Sequence, residues 1–446
     1  RSLESDRICL PIQPCVRRFR DEGIVMSVEV QPLTGPSGMG DRPKITKDVW
    51  FLLFVVGTAF MASRYDFQLS TLALPQFQQA FGYDDQTSVL IGTIAKVGAI
   101  PAVMLTLMAD RIGRKPLFLL AILGFSASAL LTAMAQNPLM LASGLFFTRL
   151  FTMVDELLAV VLLAEAAPPQ ARAWMLGLLS LLGASGDGIA LAAYGTFADQ
   201  PDAWRWMYAA GAVPAILSII WRLALPESAA FVAAKQANQA DQFALIRANR
   251  RPVILIGIAY FLFWLPISPA LSYNSQYLQS VAKWEPSQVA LVSFAAGMVG
   301  LVGTFLGGRL ADRFGRKPVA LVATLICVFG LSGVYLNSQF GFVGAALSVG
   351  YMAWFAASVA LRATMTELIP TKARATVAGT SEIGASSGAI LGGSLVAFLI
   401  PVLGGLGHAL LAMMPLVVLA LVAIAFLPET KGRVLGEGEE VGDTKA

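Results

Sequence analysis

Seven ionisable side chains lie inside long apolar runs of the first half of this sequence: Arg64, Asp66, Lys96, Arg149, Asp155, Glu156 and Asp187. A charge in such a run loses its water, so it persists where a partner, a proton or a ligand compensates it, and it is a functional candidate by default. The chemistry open to this set is ion pairing, proton uptake by a carboxylate and recognition of a charged solute. Asp66 and Asp155 are the candidate proton carriers, with Arg149 as the pairing cation and Glu156 beside them. Arg149 and Glu156 are seven residues apart and share one helix face, whereas Asp155 points elsewhere. Arg64 and Asp66 are two apart and face different ways, so one is expected to meet a cavity and the other a neighbouring helix. Lys96 and Asp187 fall near the middle of their runs and are candidates for substrate contact.

The second half carries different chemistry. Tyr260, Trp264 and Ser268 recur every four residues along one helix face, and Asn274 and Gln276 follow near its end. A later run adds Tyr351, Trp354 and Ser358. Aromatic faces with a few hydrogen-bonding groups suit a small organic ligand. Interfacial anchoring is the competing use of Trp and Tyr, and it fits Tyr277 and Trp284 better than Trp264. Three basic residues in first-half runs, Arg64, Lys96 and Arg149, tilt the expected substrate toward an anionic carboxylate.

The elements that hold these residues follow from composition. Of 446 residues, 56% are hydrophobic and 13% charged, against about a quarter charged in an average soluble domain. Twelve apolar runs, from 49–77 to 406–427, are each long enough for a helix across a bilayer. The expected class is therefore an all-α membrane protein with twelve transmembrane helices. Lysine and arginine gather in one set of loops, which marks that side and both termini as cytoplasmic, and the plasma or inner membrane is the expected location. The net charge of +4 is spread through these loops, which speaks against nucleic acid as a partner. One histidine, His408, and three cysteines give no metal or disulfide spacing, and neither cofactor nor metal is expected. Residues 1–48 are polar and read as a disordered cytoplasmic tail. The first 25 of them, ahead of Met26, are set outside the functional reading.

A repeat fixes the architecture. Ala109-Asp110-Arg111-Ile112-Gly113-Arg114-Lys115-Pro116 returns as Ala311-Asp312-Arg313-Phe314-Gly315-Arg316-Lys317-Pro318, an offset of 202 residues. Glu165, Pro168 and Arg172 map onto Glu367, Pro370 and Arg374 at the same offset, as does Pro226-Glu227 onto Pro428-Glu429. Two six-helix bundles, 49–228 and 252–430, are expected, with a cytoplasmic linker at 229–251, a tail at 431–446 and a cavity between the bundles.

These loops resemble the signature of the major facilitator superfamily. The Glu-x-x-Pro-x-x-x-Arg pairs and the Pro-Glu ends are similar to its sugar-porter and metabolite–proton symporter branches. The resemblance implies a monomeric secondary transporter, not an enzyme, moving a small organic metabolite by proton symport with alternating access. It also implies a gating role for Asp110, Arg111, Gly113, Arg114, Glu165 and Arg172, and for Asp312, Arg313, Gly315, Arg316, Glu367 and Arg374. Tyr65-Asp66-Phe67 matches the acidic position of sugar porters, and Arg149 lies one turn nearer Glu165 than their arginine. Thr106 stands where the family has a glycine, which Gly308 supplies in the second half. A proton-driven drug or metabolite exporter is the nearest alternative, although Gly183-Ala184-Ser185-Gly186 lacks the antiporters' proline. A non-transporting nutrient sensor is the alternative from another class.

Overall fold

A computed structural model describes residues 45–108, 113–168, 171–223, 250–368 and 374–431. The sequence readings at Asp110 and Arg111, most of the 229–251 linker and nearly all of both tails lie outside the described residues. Regular structure among the described residues is helical throughout. The first crossing is α1 (Lys47–Leu72) with its short continuation α2 (Leu74–Phe81), and the second is α3 (Asp85–Val97) with α4 (Ala99–Leu107). Four unbroken crossings follow: α5 (Arg114–Ala133), α6 (Pro138–Ala166), α7 (Arg172–Phe197) and α8 (Ala203–Leu223). The second bundle repeats this plan. It comprises α9 (Arg250–Ser272) with α10 (Asn274–Ser280), then α11 (Pro286–Phe314), α12 (Arg316–Leu336), α13 (Phe340–Leu368) and α14 (Arg374–Leu403). The last crossing is α15 (Leu406–Met413), a tight turn at Met414–Leu416 and α16 (Val417–Phe426).

Eleven of these crossings are long and apolar enough to span a membrane. α6, with 29 residues, is the twelfth, and Arg149, Asp155 and Glu156 are what lower its apolar character. Large apolar side chains turn outward around the molecule: Phe305 is 75% and Phe329 68% exposed, a surface suited to lipid rather than water.

Local signals explain where helices start and break. The Asp84 side chain accepts a hydrogen bond from the Thr87 amide and caps α3, and Asn137 does the same for α6 through Met140. Two prolines inside α9, Pro266 and Pro269, remove amide donors just before the chain breaks at Tyr273. Gly113 and Gly315 precede α5 and α12 with φ of 108° and 105°, a conformation that only glycine adopts readily. They lie 202 residues apart, so the repeat holds in the backbone as well as in the letters.

Packing repeats too. α1 lies on α7 and α9 on α14, while α5 lies on α6 and α12 on α13. A Cβ at Gly186 would overlap the Met61 carbonyl, and one at Gly388, 202 residues on, would overlap the Phe261 carbonyl. On α11 the close approach falls on Gly303 and Gly307, which meet α13 backbone, rather than on Gly308, whose nearest neighbour would be Val359 at 4.0 Å. One residue turns the helix by roughly 100°, and that rotation decides which glycine faces the partner.

Candidate functional site

The two bundles meet around a cavity whose lining includes Asp66, Phe67, Lys96, Thr148, Arg149 and Tyr273. Asp66, from the last third of α1, is buried, and one carboxylate oxygen has no hydrogen-bond partner among the described residues. Arg149 descends from α6 and stacks over the Phe67 ring, 4.6 Å from its centroid. Lys96 of α3 donates to Ser268 Oγ at 3.0 Å and lies 5.0 Å over the Tyr273 ring. Arg149 is close enough to act on Lys96 electrostatically. Among the described residues, no carboxylate lies within ion-pair distance of Lys96 or Arg149, and no cation lies within that distance of Asp66. The cavity thus brings two unpaired cations and one unpaired carboxylate together.

Of the remaining first-half charges, Arg64, Asp187 and Asp155 are already engaged. Arg64 turns away from Asp66, as their spacing requires, and binds Asp187 of α7 at 2.8 Å. Glu156 acts on both members of that pair, and one of its own oxygens is buried without a partner. Asp155 does not meet Arg149. It forms an ion pair with Arg222 of α8 at 2.5 Å, both side chains at 0% exposure. Arg222 also donates to the Phe118 carbonyl at 2.6 Å and lies 3.5 Å over the Phe118 ring. The expected pairing of Arg149 with Asp155 is therefore corrected: Asp155 is six residues from Arg149 on α6 and faces another helix. Arg222 had no role from sequence, because nothing in the chain ties it to a residue 67 positions earlier.

The second-half aromatic residues form one wall. Trp264 meets Trp354 edge-on at 5.9 Å, and Tyr351 meets Trp354 at 5.8 Å. Tyr260 stands one turn before Trp264 on α9.

Asn274 and Gln276 lie beyond the cavity, at the end of the bundles away from Gly113 and Gly315. Here α10 is tied to the first bundle. Gln276 Nε2 donates to Asp85 at 3.1 Å and to Gln78, and Gln276 accepts from Ser88 at 3.3 Å. Gln279 donates to Tyr194 at 2.6 Å, and Gln76 joins both. Ser275 donates to the Leu72 carbonyl at 3.0 Å, and Tyr273 to the Val89 carbonyl at 3.0 Å. Gln276 therefore seals this end, whereas the sequence placed it against substrate. Gln78, Asp85, Gln279 and Tyr194 went unnoticed, since polar residues near helix ends read as ordinary solvated termini.

At the opposite end, which carries the basic loops, the repeat appears as paired chemistry. Arg114 of α5 binds Glu165 of α6. Arg316 of α12 binds Glu367 of α13 at 2.9 Å and reaches Asp312 at 2.9 Å. Glu429 accepts from the amides of Arg316 and Lys317 at the start of α12, at 2.9 and 3.1 Å, where the helix dipole favours an anion. Partial burial pushes the Glu429 carboxyl upward, but its four backbone amide bonds outweigh that and hold it below the ordinary range. Arg313 lies over the Phe314 ring and Arg172 is exposed, while the Arg374 side chain lies outside what the structure describes.

Comparisons agree with this architecture. The model of the Major Facilitator Superfamily matches residues 49–379 and 253–444. The 3-(3-hydroxy-phenyl)propionate transporter of Escherichia coli (strain K12) is 28% identical over 362 residues, covering 78% of this chain and 87% of that protein. The gallate transporter of Pseudomonas putida is 26% identical, covering 85% and 91%. The arabinose-proton symporter of Bacillus subtilis (strain 168) is 25% identical, covering 74% and 80%. Among solved structures, a D-xylose-proton symporter superposes with a TM-score of 0.68 at 20% identity, covering 87% of this chain and all of the other. The paired arginine–glutamate ties, the duplicated glycine turns and the central cavity are thus those of a transporter fold, and the chain is a member of the Major Facilitator Superfamily.

Proposed function

We propose that this protein carries a small aromatic carboxylate across the membrane by proton symport with alternating access. The observation that carries the reading is the cavity between the bundles: Lys96 and Arg149 lie in it without a paired carboxylate, and Asp66 lies in it without a paired cation. Two fixed cations in a low-dielectric cleft favour an anionic ligand. Asp66 is the group assigned to carry the proton. The names of the relatives support the substrate class, since they include transporters of 3-(3-hydroxy-phenyl)propionate, gallate and benzoate. The basic end is assigned to the cytoplasm by its arginine and lysine content. With that orientation the α10 seal closes the outer side, and the Arg114–Glu165 and Arg316–Glu367 pairs act as inner clamps.

Purified protein in liposomes, given labelled benzoate or a hydroxybenzoate and an imposed pH gradient, tests the reading. Accumulation should depend on the gradient. In Asp66→Asn, gradient-driven accumulation should vanish while exchange of labelled for unlabelled substrate persists. Full accumulation by Asp66→Asn would sink the assignment.

A further inference from the structure

Three buried polar atoms in the second bundle have no partner among the described residues: Tyr260 Oη, Trp354 Nε1 and Ser358 Oγ. Unmet polar atoms of this kind are unfavourable and uncommon in native proteins. Their positions are related. α9 runs from the basic end toward the sealed end, and α13 runs back. Tyr260 precedes Trp264 by four residues and Ser358 follows Trp354 by four, so both lie one turn toward the basic end from the Trp264–Trp354 contact. The three are not among the residues that line the cavity of Asp66 and Arg149, but electrostatic contacts lead from them toward it. Tyr260 is within electrostatic reach of Arg362 and Glu382, and Glu382 within reach of Arg149 and Glu156 of the first bundle. By contrast, Trp204 and Tyr208, whose polar atoms are also unmatched, are packed around Phe77 in the core.

We propose that Tyr260, Trp354 and Ser358 form a hydrogen-bonding subsite that selects ring-hydroxylated aromatic carboxylates over unsubstituted ones. This rests on the carboxylate reading above. The acid group lies toward Arg149 and the ring against Trp264 and Trp354. A ring hydroxyl accepts from Trp354 Nε1 and donates to Ser358 Oγ or Tyr260 Oη. A site built to bond a hydroxyl rejects the analogue without it, because its own polar atoms then stay unpaired.

The test is the ratio of KM values for benzoate and 3-hydroxybenzoate, measured on the full chain in liposomes under a pH gradient. Wild type should favour the hydroxylated acid by about tenfold or more. Trp354→Phe and Ser358→Ala should each lower that ratio by about fivefold, and Ser358→Thr, which keeps the hydroxyl, should restore it. Equal KM values in wild type would overturn the subsite alone. So would an unchanged ratio in Trp354→Phe, including the case where both acids weaken by one factor. Accumulation of neither acid by wild type would overturn the carboxylate reading, and the subsite with it.

Discussion

Asp66 and Asp155 have the same side chain and similar burial, yet the structure gives them opposite situations. Asp66 opens on a cavity and is unpaired, whereas Asp155 is locked to Arg222 inside the first bundle. Removing one member of a buried pair strands the other charge, at a cost of about 3–5 kcal/mol. We therefore expect Asp155→Asn and Arg222→Met each to lower the melting temperature in detergent sharply. An Asp155→Leu/Arg222→Leu double variant should recover much of the loss. The seven ionisable residues of the first half were legible in sequence as costly intruders in apolar runs. Their partners were not, because partnership depends on helix rotation and on which crossing lies alongside. Arg222 shows this best: near a helix end it reads as one more basic residue of the loops.

At the scale of elements, the apolar runs gave the crossings, while the breaks and caps within them come from the structure: Pro266 and Pro269 precede the break between α9 and α10, and Asp84 caps α3. Asp84→Ala should cost about 1 kcal/mol, seen as a lower melting temperature, by removing that cap. The glycines were legible as small residues but not as particular contacts. Gly186 and Gly388 hold α7 against α1 and α14 against α9 in matching ways. Valine at either position should destabilise its bundle by about 1–3 kcal/mol through overpacking, again read from thermal unfolding. Glu429 ties the last crossing to α12. Its carboxyl is held below the ordinary range in the fold, so its contribution is present at neutral pH and fades as pH falls through the folded value. Glu429→Gln should flatten the acid side of the stability profile of the solubilised protein.

At the scale of the whole molecule, the 202-residue offset gave the two-bundle plan, since charged loop residues do not keep register by chance. What it could not give was the conformation. That is set by contacts between bundles, and the repeat is silent about those. Gln276 is the centre of the seal between α10 and the first bundle. Its three hydrogen bonds are worth about 1 kcal/mol each, so Gln276→Ala should raise the population open at the α10 end, outward-open in the proposed orientation, by about a hundredfold. Labelling of a Ser70→Cys cavity variant by an impermeant thiol reagent, added from outside, would report it; an unchanged labelling rate would contradict the role given to α10.

Among the described residues, the seal at α10 is made almost wholly of amides and hydroxyls, with Asp85 the one formal charge in its hydrogen bonds, while the opposite end is pinned by arginine and glutamate. Ionic strength screens the second kind of tie and hardly touches the first. Raising salt should therefore loosen one door of this carrier and leave the other as it was, and membrane voltage finds little in the neutral door to pull on.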